Sequence, residues 1–213
     1  MTKNNKKGFT IIEVVLVLAI AGLIFLMVFI ALPALQRSQR NTQRRNDLSR
    51  FMTAVEQYAG NNSNKSPFYH ATGHGVDVTG AEKTRIANFV QRYIDQSCQI
   101  DSAEIETVGG LDKGIYRFKN CSDQFSDPDG ETYGFDVRYA NAPQNGVNTQ
   151  DIVWYHADNG SYVTHLITVY SAAKCNQEEN KVTFTGASGN SGKRQIAMFL
   201  RLEGGSSACV DNQ

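Results

Sequence analysis

Between residues 9 and 32 the chain carries 24 residues with one charged side chain, Glu13. As an α-helix at about 1.5 Å per residue, this run reaches roughly 36 Å, more than the ~30 Å hydrocarbon core of a bilayer. A short basic leader, MTKNNKKG, precedes it. Secretory signal peptides carry a shorter apolar region that ends in a small-residue cleavage site. Here the run passes through Pro33-Ala34-Leu35 into polar, helix-forming sequence. The segment is therefore expected to stay with the mature protein as a single membrane-spanning helix.

Glu13 is the anomaly within that run. A charge near a helix centre costs roughly 2.5–3.5 kcal/mol on insertion scales, so an intramembrane carboxylate usually carries function. The bland alternative is a side chain close enough to the interface to stay hydrated. The surrounding junction reads Lys7-Gly8-Phe9-Thr10-Ile11-Ile12-Glu13. This string resembles the cleavage and methylation motif of type IV prepilins and pseudopilins. The likeness is strong over residues 3–35 and architectural beyond them. It implies that a prepilin peptidase cuts between Gly8 and Phe9, that Phe9 becomes the N-methylated terminus, and that Glu13 takes the family's fifth mature position. It also implies partners: the peptidase/methyltransferase, a pilus assembly platform, the membrane, and further subunits in a homopolymer or mixed filament.

Elementary electrostatics gives Glu13 a matching role. Cleavage creates an α-amine at Phe9, and Glu13 stands four residues on, about 6 Å along a helix axis. A neighbouring subunit shifted by that distance sets its amine against this carboxylate. Lone charges in an apolar core are costly, whereas a close pair compensates both, so the pairing specifies axial register. Gly22 fits the fourteenth mature position, where many pilins have glycine. The helix-breaking proline is Pro33, the twenty-fifth mature residue instead of the family's usual twenty-second. Proline removes a backbone donor and glycine weakens a helix, so local melting between Gly22 and Pro33 is expected in a filament. Lys3, Lys6 and Lys7 precede the run, and Arg37, Arg40, Arg44 and Arg45 follow it. A bare count of positive charge slightly favours the leader outside. The motif implies the reverse: leader in the cytoplasm, headgroup extracytoplasmic, first in the inner membrane and then in a cell-surface pilus.

Past Pro33 the stretch QRSQRNTQRRND is polar all round. Leu48, Phe51, Met52, Val55, Tyr58 and Ala59 then recur at spacings of three and four, the face of an amphipathic helix. Gly60-Asn61-Asn62-Ser63-Asn64 stops it. The expected organisation is a leader over 1–8, an N-terminal helix over 9–60 and a globular headgroup over 61–213. Residues 9–33 of that helix belong to the membrane or filament core, and 34–60 are amphipathic. In the headgroup, Ile86, Phe89, Val90, Tyr93 and Ile94 mark a second helix after Gly80. Seven β-prone runs follow, at 104–108, 114–119, 133–139, 151–156, 162–171, 181–185 and 194–202, separated by Gly, Asn and Asp clusters. Strands without intervening helices predict an antiparallel sheet. The expected class is α+β: a long N-terminal transmembrane helix packed on an antiparallel β-sheet headgroup, which is pilin-like.

Cys98, Cys121, Cys175 and Cys209 permit three pairings, and spacing does not choose among them. Nearest neighbours give Cys98–Cys121 and Cys175–Cys209, the second resembling the disulfide-bounded C-terminal region of many pilins. Reduced, buried thiols are the alternative. Asp123, Asp127 and Asp129 punctuate Ser122-Asp123-Gln124-Phe125-Ser126-Asp127-Pro128-Asp129-Gly130. Alternating carboxylates ending in glycine suit calcium, and Asp-Pro-Asp-Gly resembles a loop of some calcium-binding pseudopilins. The same four residues are also a sound turn on backbone grounds alone, and no second acidic run completes an EF-hand. His70 and His74 stand four apart, as helix-borne zinc ligands do, but in glycine-rich sequence without a third ligand nearby. His156 and His165 fall in predicted strands. There is no nucleophile elbow, phosphate-binding glycine loop or Cys-x-x-Cys. No enzyme activity is expected, and calcium is the one cofactor candidate.

Lys plus Arg number 21, as do Asp plus Glu. At zero net charge the basic pairs and clusters, Arg37 to Arg45 and Lys193-Arg194, do not make nucleic acid the expected main partner. The leading expectation is a structural subunit of a type IV pilus or related filament, as a major pilin, or as a minor pilin or pseudopilin with a DNA-uptake or secretion role. A membrane-anchored extracellular binding module is the alternative. Gly8 and Glu13 discriminate, because an anchor needs neither. Attachment, surface motility and DNA uptake are all roles the resemblance implies, without selecting one.

Overall fold

The computed structural model describes residues 8–68, 80–108, 111–138, 151–153, 165–171, 173–176, 181–184 and 195–212. It opens with a 51-residue helix, α1 (Ile11–Asn61). The chain divides into two compact units, Met1–Arg40 and Asn41–Gln213.

In the first unit α1 is bare. Phe9 is 89% exposed and Phe29 72%, and the leucines and isoleucines between them are exposed as well. Among the described residues this is the one helix long and apolar enough to cross a membrane. It stays helical across Gly22 and through Pro33. The melting expected from those residues concerns an assembled filament, a different state from the isolated chain.

The second unit holds the end of α1, then α2 (Ala81–Tyr93), β1 (Gln99–Val108), β2 (Leu111–Lys119), β3 (Gly134–Arg138), β4 (Asp151–Val153), β5 (Leu166–Ser171), β6 (Ala173–Asn176), β7 (Lys181–Phe184), β8 (Ile196–Arg201) and β9 (Ser207–Asp211). Six strands form one sheet in the order β1-β2-β3-β5-β8-β9, and β4-β7-β6 form a second. The fold is α+β, but the larger sheet is mixed. Strands β3 and β5 run parallel, with Gly134 opposite Leu166 and Arg138 opposite Tyr170. The purely antiparallel expectation is corrected at this pair. A parallel neighbour needs a long crossover instead of a tight turn, and residues 139–165 supply the length. On the way they contribute β4 to the other sheet. All seven expected strands have counterparts, whereas β6 and β9 escaped prediction. Their sequences, AKCN and SACVD, contain few of the β-branched and aromatic residues that signal strands.

The core confirms the helical face read from spacing. Leu48, Phe51, Met52, Val55 and Tyr58 of α1 lie buried with Ile86 and Phe89 of α2 and with Phe135, Ile167 and Met198 of the sheet. Phe51 meets the rings of Phe125 and Tyr133 edge-on, at centroid distances of 5.4 and 5.3 Å. Each such pair adds about 0.5–1.5 kcal/mol beyond area burial. Strand β3 begins with a glycine for a steric reason: a Cβ on Gly134 would lie 2.9 Å from the Tyr116 carbonyl oxygen. The nearest-neighbour disulfides are both present, Cys98–Cys121 and Cys175–Cys209, and no cysteine is free. The second ties β6 of the small sheet to β9 of the large one.

Candidate functional site

Two constellations stand out, one in each unit. In the first, Gly8 and Phe9 lie outside regular structure and are exposed, and α1 begins two residues later. The Thr10 N–H and hydroxyl both donate to Glu13 Oε2 at 2.8 Å, and the Glu13 N–H donates to Thr10 Oγ1 at 3.4 Å. This is a capping box: Thr10 as N-cap and Glu13 three residues on satisfy each other's otherwise orphaned backbone donors. A carboxylate there also faces the positive end of the helix dipole. Glu13 thus has a local role that the sequence reading missed, although Thr10-Ile11-Ile12-Glu13 displays the signature.

The second constellation centres on Arg44, whose side chain is wholly buried. Its Nε donates to Asp127 Oδ2 at 2.7 Å and its Nη2 to Asp127 Oδ1 at 2.8 Å, a two-pronged pair. Nη2 also donates to Asp129 Oδ2 at 2.6 Å, and Nη1 to Glu203 Oε1 at 2.8 Å. Asn41 brackets the Glu203 backbone, donating from Nδ2 to its carbonyl at 3.1 Å and accepting its N–H at 2.9 Å. One turn past Arg44, Asp47 accepts the Tyr133 hydroxyl at 3.0 Å. Burial works against the Arg44 charge, but hydrogen bonds to Asp127 and Glu203 outweigh it, so its pKa is raised. Burial likewise pushes the Tyr133 phenol up, reinforced by the charges of Asp47 and Asp127. The Asp47 carboxyl is also pushed up by burial, with the Tyr133 hydroxyl opposing.

This clasp joins the helix to the 127–133 loop and to the turn before β9. It contains a cation already held by carboxylates and offers no reacting group. By sequence Arg44 belongs to a basic cluster in a stretch that is polar all round, the face of a helix turned to solvent or to another subunit. Its spacing of four before Leu48 and seven before Phe51 places it on the buried stripe, the signal that marked it.

Asp-Pro-Asp-Gly forms a turn. The Gly130 N–H donates to the Asp127 carbonyl at 2.8 Å, the Asp127 N–H to the Glu131 carbonyl at 2.7 Å, and the Asp129 N–H to Asp127 Oδ1 at 3.0 Å. Gly130 has φ +90°, the conformation glycine tolerates and other residues resist. Asp127 and Asp129 converge on Arg44, while Asp123 opens a 3-10 turn, Asp123–Phe125. A calcium ion taking Asp127 and Asp129 has to displace the guanidinium. Millimolar calcium is therefore expected to leave the melting temperature unchanged. A rise on addition, reversed by chelator, would restore the two as ligands, because binding only to the folded state raises stability.

His165 is half-buried, and its carbonyl accepts the Gly134 N–H at 3.0 Å. His70, His74, His156, Lys193 and Arg194 lie outside the described residues. Asp136, buried on β3, accepts from Arg138 through Oδ2 at 2.9 Å, and its Oδ1 has no partner among the described residues.

Residues 3–29 match the family model described as the prokaryotic N-terminal methylation motif. The chain therefore begins with a prepilin-type methylation motif. This is consistent with the type IV pilin and pseudopilin family, as is an exposed apolar helix leading into an α+β unit. The prepilin motif takes in Gly8, Phe9, Glu13 and Gly22, while Pro33, the clasp and both disulfides lie beyond the match. No curated protein and no solved structure matches the chain.

Proposed function

We propose that this protein is a structural subunit of a type IV pilus or related filament, not an enzyme. The observation that carries this reading is the prepilin motif at the head of a bare apolar helix. Before assembly the helix holds the subunit in the membrane, with the second unit extracytoplasmic. After removal of residues 1–8 the same surface packs against neighbouring helices, and the new Phe9 amine pairs with Glu13 of an adjacent copy. The partners on this reading are the peptidase/methyltransferase, an assembly platform and further subunits.

Processing is the first test. Intact-mass analysis of protein extracted from membranes should give residues 9–213 plus one methyl group. Gly8→Leu should leave the leader attached, because the peptidase needs a residue without a side chain before the cut. A wild-type mass that still includes Met1, in cells containing the peptidase, would overturn the reading.

A further inference from the structure

Asp95 lies between α2 and β1, next to the Cys98–Cys121 bridge. Its Oδ1 accepts the Ser97 N–H at 3.0 Å and the Ser97 hydroxyl at 2.6 Å. Its Oδ2 accepts the Ser122 N–H at 2.6 Å and the Ser122 hydroxyl at 2.8 Å. Ser97 immediately precedes Cys98, and Ser122 immediately follows Cys121. The Asp95 carbonyl also accepts the Cys98 N–H at 3.3 Å. One carboxylate thus fastens both backbone segments that carry the sulfurs, and it does so without the sulfurs. In addition, a carboxylate oxygen of Asp95 and the two Sγ atoms all lie within 4.8 Å of one another.

We propose that Asp95 is a positioning residue that keeps the Cys98–Cys121 pair oxidised, by clamping its two backbones together and by setting a negative charge beside any thiolate. The cysteines are 23 residues apart, so an unclamped chain loses loop-closure entropy each time the sulfurs meet. The clamp meets that cost with hydrogen bonds to an ionised group, the stronger kind. Burial pushes the Asp95 carboxyl up, but the four serine donors bring it down to about 2. A depressed carboxylate stabilises the fold fully above its unfolded value of 3.8, and that contribution is lost only as pH falls toward about 2.

With a small disulfide as oxidant, the half-buried Cys121 attacks as thiolate, releasing one oxidant thiolate and forming a mixed disulfide. The buried Cys98, as thiolate, then attacks the Cys121 sulfur and expels the second. Two protons and two electrons leave the protein, and the oxidant ends as two thiols. Reduction reverses these steps and must expel a protein thiolate beside Asp95, a leaving group disfavoured by the like charge.

The test equilibrates the full chain in detergent with mixtures of reduced and oxidised glutathione, traps thiols, and resolves each bridge by peptide mass. In Asp95→Asn the oxidation equilibrium of Cys98–Cys121 should fall by about tenfold, as expected for losing charge-assisted bonds. Cys175–Cys209 should stay within about twofold. In the reduced protein, Asp95→Asn should also shift the pH profile of thiol alkylation downward, a change that a merely structural residue does not produce. Equal weakening of both bridges, or of neither, overturns the proposal, as does an unchanged alkylation profile. If Asp95→Asn does not fold, Ser122→Ala, which removes one donor, should lower the first equilibrium about two- to fivefold. An unchanged equilibrium in that variant also overturns it.

Discussion

Arg44→Ala should lower the melting temperature of the second unit by roughly 6–20 °C, the largest effect expected from a single side chain there. Removing one member of a buried ion pair typically costs about 3–5 kcal/mol, because the other charge stays desolvated. Asp127 is only 3% exposed, so it cannot turn to water. The total stability of a domain is about 5–15 kcal/mol, and 1 kcal/mol shifts the melting point of a domain this size by about 2–4 °C. Arg44→Lys should fall between, since an ammonium keeps the charge but cannot grip both Asp127 oxygens and Glu203 in one plane. Arg44→Met combined with Asp127→Asn should recover part of the loss, because no buried charge is then left alone. Circular dichroism melts of the detergent-solubilised chain measure all three. A variant with alanine at position 44 that melts with the wild type would show that the clasp contributes nothing to holding α1.

The second large effect concerns assembly. Glu13→Gln should be inserted and cleaved normally, and a population made only of this variant should build no filaments. The capping box sharpens this test. Glutamine can also cap a helix from the third position, so the substitution retains the hydrogen bonds of the cap and deletes the charge, at a local cost of only about 0.3–1 kcal/mol from the helix dipole. A buried amine facing a neutral partner is again the case that costs about 3–5 kcal/mol, here at every subunit contact. Co-expressed wild-type subunits should carry the variant into filaments at scattered positions. Thr10→Val is the complement: it removes the capping hydroxyl, keeps the carboxylate, and should assemble. Immunogold counts of surface filaments decide. Normal numbers from Glu13→Gln alone would mean that the carboxylate serves the cap and not a neighbour, and absence of cleaved protein would make it a processing determinant.

What could be read in advance follows from the range over which each interaction acts. The α1 face from Leu48 to Ala59 was legible because helical periodicity is local. The Asp127–Gly130 turn was legible because proline and glycine restrict their own backbone. Arg44 was hidden by composition: four arginines within nine positions suggest a wet surface, and only its phase relative to Leu48 and Phe51 says otherwise. The capping role of Glu13 was hidden by a stronger signal, since a carboxylate in an apolar run draws attention to the membrane and away from Thr10. The parallel pairing of β3 with β5 could not be read at all. It depends on the path of residues 139–165, which no short-range pattern encodes. Asp95 was missed because its four donors come from Ser97 and from Ser122, and the latter is distant in sequence.

The clasp also sets an order of events. Asn41 and Arg44 are made early, yet their partner Glu203 is 162 and 159 residues away in the chain. The core that covers Leu48 and Phe51 likewise includes Met198 and Ala208. Contacts this far apart form late and slowly. Phe125 and Tyr133 can cover Phe51 earlier, but the buried face of α1 is closed only when β8 and β9 have been made. A chain that stops before Glu203 lacks one carboxylate of the clasp and the whole of β9, and leaves part of the core open, the kind of surface that aggregates. The grip on α1 and the pairing of the last two strands are therefore completed together, when the segment around Glu203 is in place.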